Sequence, residues 1–342
     1  MKKLALAFFV LFLTFNTKAQ DGLEAILLTG TQDASKLTKA YMNPAMKGLI
    51  YGMNSGWYHT AKAHKKLGFD ISIGLNASMV PSKDEIFKFA DLGLSNSTTS
   101  TSPIGATVAG SNNLKAPIVV STTIEGQPVT ANFTMPAGVK DDLPLNAVPT
   151  PSVQFSLGLP KQFDMMIRYV PNVGSDDVKG NLFGIGLKKE ITDWFGIVGK
   201  TPLHLSILGA YTKMDVNYNI QNSSSISGTN QEATFSLSSF TLQAIASLNF
   251  PIINFYGGFG YSSGTSDLKM KGTYNLNYNT GLPAPNNTKQ VVLNNPLDLN
   301  FKAKGMRATV GTRLSLGFFK IFGDYTMQEY NTVSAGIAFS FR

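Results

Sequence analysis

Residues Leu67 to Met79 read LGFDISIGLNASM, and this stretch decides the fold class. Its odd positions carry Leu67, Phe69, Ile71, Ile73, Leu75, Ala77 and Met79; its even positions carry Gly68, Asp70, Ser72, Gly74, Asn76 and Ser78. A strict period of two puts these sets on opposite faces of an extended strand. Globular strands usually run about 5–6 residues, whereas a tilted strand needs roughly 9–11 to cross a bilayer, and this one is long enough. Met306–Phe318 repeats the pattern in even phase with only Thr312 breaking it, and Val333, Ala335, Ile337, Phe339 and Phe341 repeat it near the end of the chain. Weaker copies lie at Val153–Leu159, Phe163–Tyr169, Phe183–Leu187, Leu203–Tyr211, Ile253–Tyr261 and Phe319–Met327. Between Leu237 and Phe240 the phase switches, which predicts a β-bulge.

Composition agrees. Only 15% of the 342 residues are charged, against about 25% in ordinary soluble domains. Beyond residue 15 no apolar block approaches the roughly 20 residues of a spanning helix. Abundant aromatic and aliphatic residues argue against disorder. A closed barrel leaves no unpaired backbone in lipid, and its signature is apolar-out, polar-in alternation separated by turns. The expectation is an all-β fold: a closed antiparallel transmembrane β-barrel in the outer membrane. A soluble sandwich also alternates and is the competing fold.

Lys2 and Lys3, the apolar run Leu4–Phe15 and Thr17-Lys18-Ala19 read as a secretory signal over residues 1–19. With no cysteine there is neither a lipid attachment site nor a disulfide framework. The net charge of +8 is spread without a dense Lys/Arg run, so nucleic acid is not an expected partner.

Strands are predicted at 48–58, 67–79, 151–159, 163–170, 181–188, 203–218, 234–249, 253–263, 305–316, 318–327 and 331–342. That count is odd, and barrels of this class have an even number. The long stretch 81–148 must then contribute strands, and Ala116–Ile124 with Gln127–Met135 reads as a hairpin about Glu125-Gly126. The prediction is about 14 strands, with 12 as the alternative. Short links at Pro160–Gln162, Asn249–Pro251 and Gly317–Phe318 belong at one end. Asn219–Glu232, Thr265–Lys304 and Pro81–Val148 supply long loops at the other. Trp194 and Phe195 suit an interfacial anchor.

Ahead of the barrel, residues 20–46 read as a short helical hatch. Leu23, Ile26 and Leu27 form one apolar stripe; Asp33 is placed to cap a second helix bearing Leu37 and Tyr41, which Asn43-Pro44 stops. Such a segment needs a surface to pack against, and a wide lumen supplies one; a helix docked under the barrel is the alternative. The apolar path of a ligand is assigned to Leu23, Ile26, Leu27, Leu37, Tyr41, Asn43 and Pro44.

On the alternation, Asp70, Asp164, Arg168, His204, Arg307, Arg313 and Asp324 face the lumen. They read either as an ionic lattice holding the hatch or as a polar gate beside an apolar path. His59 and His64 read as residues of a solvated turn. Gly260-Tyr261-Ser262-Ser263-Gly264 matches a nucleophile-elbow pattern, but that motif requires a strand-to-helix turn and here lies on an aromatic strand. No catalytic residue, metal site or cofactor is predicted, and the protein is not expected to be an enzyme.

The order of helical segment, Tyr41-Met42-Asn43-Pro44-Ala45 and barrel resembles the outer-membrane long-chain fatty-acid transporters. That resemblance implies fourteen strands with an N-terminal hatch in the lumen. Gly56-Trp57-Tyr58-His59-Thr60-Ala61, Gly158-Leu159-Pro160-Lys161, Met166-Ile167-Arg168-Tyr169-Val170-Pro171 and Gly186-Leu187-Lys188-Lys189-Glu190 are similar to a group of Bacteroidota outer-membrane barrels. The functional expectation is passive, hatch-gated passage of small hydrophobic compounds. The alternative is a non-transporting partner barrel for secretion or surface assembly. The expected partners are outer-membrane lipid, a small hydrophobic ligand and a protein at the long loops.

Overall fold

The computed structural model describes residues 24–175, 177–220 and 226–341. The expected leader, Leu23 and Arg342 lie outside the described residues. Ten strands form the wall: β1 (Phe69–Met79), β2 (Ala147–Leu159), β3 (Phe163–Gly174), β4 (Val178–Glu190), β5 (Leu203–Asn219), β6 (Ile226–Asn249), β7 (Ile253–Asn279), β8 (Leu297–Leu316), β9 (Phe319–Met327) and β10 (Thr332–Phe341). Each pairs antiparallel with the next, and β10 pairs with β1 from Phe69↔Phe341 to Ser78↔Thr332, closing the ring.

Burial along this wall is inverted relative to a soluble sheet. On β1, Asp70, Ser72, Asn76 and Ser78 are buried, while Ile71 and Leu75 are each 42% exposed. Phe155, Phe183, Tyr211, Phe240, Phe259, Val310 and Tyr325 are likewise exposed on other strands. Polar residues inside and aromatic or aliphatic residues outside make sense only where the outer medium is hydrocarbon. The chain is an all-β outer-membrane barrel, and Trp194 and Phe195 stand exposed in the β4–β5 link.

The predicted strand count requires correction. Residues 48–58 are not a strand; most of them belong to a helix, which restores an even number. The 117–124/127–134 hairpin exists, but it stands beyond the ring at the long-loop end, touching β7 through Asn279↔Thr130. Segments 98–100 and 288–294 extend the same sheet there, so among the described residues fourteen strands share one sheet while ten close the barrel. No bulge occurs at 237–240, where β6 and β7 stay in register from Leu237↔Ser266 to Phe240↔Ser263. Leu237 breaks the apolar-out pattern because it points inward, buried against the lumen contents.

Those contents are the N-terminal segment. A 3-10 turn, Glu24–Thr29, leads through Gly30 (φ +78°) into helix α1 (Gly30–Met53). Asn43-Pro44 does not stop this helix, as Pro44 lies inside it. Proline deletes one helical hydrogen bond and crowds the preceding turn. Here Val108 N–H from the outer loop donates to Tyr41 O at 2.9 Å, giving that turn a partner from outside. Asp33 caps nothing; its carboxylate accepts from Ser95 N and Oγ and fastens the outer loop. The turn packs under the outer sheet extension, α1 runs down the lumen, and residues 54–66 continue to the short-turn end, where β1 begins.

Candidate functional site

The lower lumen is closed by a polar lattice between wall and plug. Arg168 on β3 donates from Nη1 to Met53 O (3.2 Å), from Nη2 to Ser55 O (2.9 Å) and from Nε to Gln154 Oε1 (3.0 Å). Arg307 on β8 donates to Asn54 O at 2.7 Å and to Ser55 Oγ at 3.2 Å. Two guanidinium groups thus meet the carbonyl end of α1, where orphan acceptors and the negative end of the helix dipole favour cations. Arg168 also stacks over Trp57, 3.9 Å from the ring centre, and Trp57 itself lies on the glycine floor of Gly184 and Gly186.

Nearer the short-turn end, charged groups form a chain. Arg313 contacts His59 Nδ1 (3.0 Å), and His59 Nε2 contacts Asp70 Oδ2 (3.2 Å). His64 bridges Asp70 (3.2 Å) and Asp164 (3.1 Å), and Lys188 Nζ reaches Asp164 at 2.9 Å. His204 pairs with Glu190 at 2.6 Å, whose other oxygen accepts Ala63 N–H at 2.7 Å. Tyr256 donates to Asp324 at 3.0 Å. All seven residues assigned to the lumen face inward: Asp70, Asp164, His204 and Arg313 join charged pairs, Arg168 and Arg307 hold plug carbonyls, and Asp324 accepts from Tyr256. His59 and His64 are not in a solvated turn; His59 is buried and His64 half-buried because the segment carrying them threads the barrel. Lys188 and Glu190 were missed in sequence because they fall in a Lys-Lys-Glu run that resembles a strand end. Ser262 is buried in mid-strand beside Arg307 Nη1 at 3.2 Å.

The assigned apolar-path residues do not line an open path. Ile26, Leu27, Leu37 and Tyr41 are packed into the core that joins the plug to the outer extension; Pro44 is buried and Asn43 half-buried. The empty apolar space lies beside them. A cavity of about 180 Å³ is lined by Ala45 of α1, Val108, Ala109, Val139 and Leu143 of the outer loop, and Ala147, Val148 and Pro149 of β2.

That part of β2 also borders a gap in the wall. The β2–β3 ladder runs from Leu159↔Phe163 to Gln154↔Arg168 and ends there, although both strands continue outward. The cause lies in the parity of the backbone. Gly158 exchanges hydrogen bonds with Gly68 and Leu67, so even positions of β2 bond toward β1 and odd positions face β3. Pro149 and Pro151 occupy odd positions and have no N–H to offer. Continuing the register would set Pro151 against Pro171, and β3 shifts register against β4 between Val170 and Val173. Behind the gap stands α1, close enough that a methyl group at Gly48 would lie 2.5 Å from Val148 Cγ2 and one at Gly52 would overlap Thr150 Oγ1.

The helix is tied above this level by Glu329 in the β9–β10 loop, which accepts from Lys47 Nζ and Tyr51 Oη at 2.8 Å each. Burial opposes the charge of Glu329, but these two donors and the Lys47 charge outweigh it and hold its pKa below the usual value.

A closed ten-stranded meander with an apolar belt and a plugged lumen defines an outer-membrane β-barrel protein. The chain belongs to a family of unknown function, DUF6588, whose model matches residues 1–341. No curated protein matches it. Among solved structures it is similar to Ail, the attachment invasion locus protein of Yersinia pestis, at 9% identity and a TM-score of 0.28, covering 81% of this chain and 100% of that one. It is also similar to the translocator domain of the autotransporter NalP from Neisseria meningitidis (10% identity, TM-score 0.27, 82% and 90% covered). A third is the outer membrane protease OmpT from Escherichia coli (9%, 0.28, 81% and 97%).

Proposed function

We propose that this barrel takes up small hydrophobic compounds through the apolar cavity beside α1 and delivers them sideways into the membrane at the unpaired part of β2 and β3. The observation that carries this reading is the coincidence of that cavity with the proline-interrupted stretch Ala147–Val153. Passage straight down the lumen would require breaking the Arg168 and Arg307 contacts, whereas the sideways route leads through a cavity lined, apart from Asn146, by apolar side chains. An apolar cavity of about 150 Å³ accommodates a benzene-sized molecule, so the compounds are single-ring or short-chain rather than long acyl chains. The likeness to fatty-acid transporters then extends to hydrophobic uptake by a plugged barrel, not to chain length. Catalysis is no part of this reading.

Filling the cavity tests it. Leu143→Trp and Val139→Trp, at equal levels of heat-shifted, folded barrel, should slow entry of a fluorescent single-ring probe into cells by about tenfold or more, as loss of a well-fitted apolar site implies. Unchanged entry in both variants would overturn the proposal. The second reading, a partner barrel at the cell surface, is favoured by the sheet extension that 98–100, 117–134 and 288–294 build beyond the ring. Purification in mild detergent without any stoichiometric companion would sink it.

A further inference from the structure

The lipid-facing belt ends at a defined height on four adjacent strands. Its last members are Tyr211 on β5, Phe240 on β6, Tyr261 on β7 and Met306 on β8, all exposed. From Leu316 to Met306 is ten residues, about 34 Å along a strand and about 26 Å after the usual tilt, which matches the height of an outer-membrane apolar band. The next outward-facing positions are Lys213, Ser238, Ser263 and Lys304, and two residues beyond the last two come Thr265 and Lys302.

The strand registers place these residues side by side. Lys213 pairs with Ser238, Ser238 with Thr265, and Thr265 with Lys302, forming one row across four strands. Ser263 pairs with Lys304 one row nearer the belt. At the usual strand spacing the two ends of the row stand about 14 Å apart. All three lysines are exposed, and Lys213 has Asp215 at 3.4 Å on its own strand. On the opposite side the outward residues at the outer strand ends are Met79 on β1, Pro149 on β2, Met327 on β9 and Val333 on β10, none of them a lysine.

We propose that the Lys213–Lys302–Lys304 row is a binding site for a phosphate-bearing lipid headgroup of the outer leaflet. The ammonium groups take the phosphates and the Ser238, Ser263 and Thr265 hydroxyls take the sugar or ester oxygens between them. Cations placed just beyond an apolar girdle meet the leaflet at the depth of its headgroups, where each contributes about 1 kcal/mol of attraction to anionic lipid. The acyl chains of the same molecule then lie along Phe240, Tyr261 and Met306. This site is independent of the cavity route.

The experiment uses the purified barrel in neutral detergent and reads the midpoint of its heat-shifted gel mobility against added bis-phosphorylated lipid A. The wild type should be stabilised. The variant K213Q/K302Q/K304Q should require about 100-fold more lipid for the same shift, and K213R/K302R/K304R should behave as the wild type. Exposed lysines at the short-turn end serve as the control, and K65Q/K66Q/K161Q should keep the wild-type response. Equal responses of the wild type and the Gln row variant would overturn the proposal. So would an equal shift from the dephosphorylated glycolipid, or an equal loss in the control variant. A shift of the same size with inorganic pyrophosphate would also overturn it, by showing a free-phosphate site instead of a headgroup site.

Discussion

Two strand pairs of the same wall behave in opposite ways. β6 and β7 pair from Asn249↔Asn254 to Ile226↔Leu276, slipping only between Thr229 and Glu232, and rise beyond the membrane. β2 and β3 stop pairing at Gln154↔Arg168 with both strands still running. Both pairs alternate polar-in and apolar-out, so hydrophobic pattern does not distinguish them. The difference is the supply of backbone donors. The β6–β7 partners carry no proline, whereas Pro149, Pro151 and Pro171 fall where the β2–β3 ladder needs N–H groups. A barrel can therefore keep its lipid-facing pattern intact and still leave one seam unlaced, provided something closes it from behind. Here the helix does so through Gly48 and Gly52.

The contrast is most strongly tested at Arg168, on the last closed rung. Arg168→Met removes a buried charge and strands the Met53 and Ser55 carbonyls, at a cost of about 3–5 kcal/mol. Amide exchange should quicken along both Gln154–Leu159 and Phe163–Arg168, lengthening the gap. Arg307→Met, on the fully laced side, should loosen the plug to a similar degree while β7 and β8 amides stay protected. Loss of protection in β7 and β8 as well would abolish the distinction.

Restoring donors should work in the other direction. Pro149→Val with Pro151→Val returns two N–H groups toward β3, each worth about 0.5–1.5 kcal/mol if bonded. Outer β2 amides should become protected and probe uptake should fall. Protection without a fall in uptake would separate the seam from transport. A smaller effect is expected from Gly52→Val, which pushes α1 from Thr150 and should raise exchange in outer β2 but leave β6 unaffected.

The smallest effect belongs to Glu329. Its folded pKa lies below the ordinary value, so its contribution is present above the unfolded pKa and disappears as pH falls through the folded one. The group is partly solvated, which limits the term to about 1 kcal/mol or less. Below about pH 4.5 the heat-shift midpoint should fall modestly further in the wild type than in Glu329→Gln. An identical acid response in the two proteins would assign it elsewhere.

Much of the wall was legible from residues 67–79 onward, because lipid outside and water or polar groups inside impose a period of two that survives in a single strand. The lumen charges were legible for the same reason. The strand count was not: Leu49–Tyr58 is apolar and aromatic enough to read as a strand, and only the lumen's concave surface makes it a helix followed by a threaded segment. His59 and His64 were misread along with it, since a solvated turn and a buried plug have the same local sequence.

By itself, then, the sequence determined the medium around this protein and the face each strand residue takes, since both follow from nearest-neighbour alternation. The tertiary structure alone decided that ten strands close the ring, that α1 passes Pro44 with a donor from Val108, and that the prolines of β2 and β3 meet across one seam. Those features depend on contacts between residues far apart in the chain, where register and ring closure choose partners that local pattern leaves open.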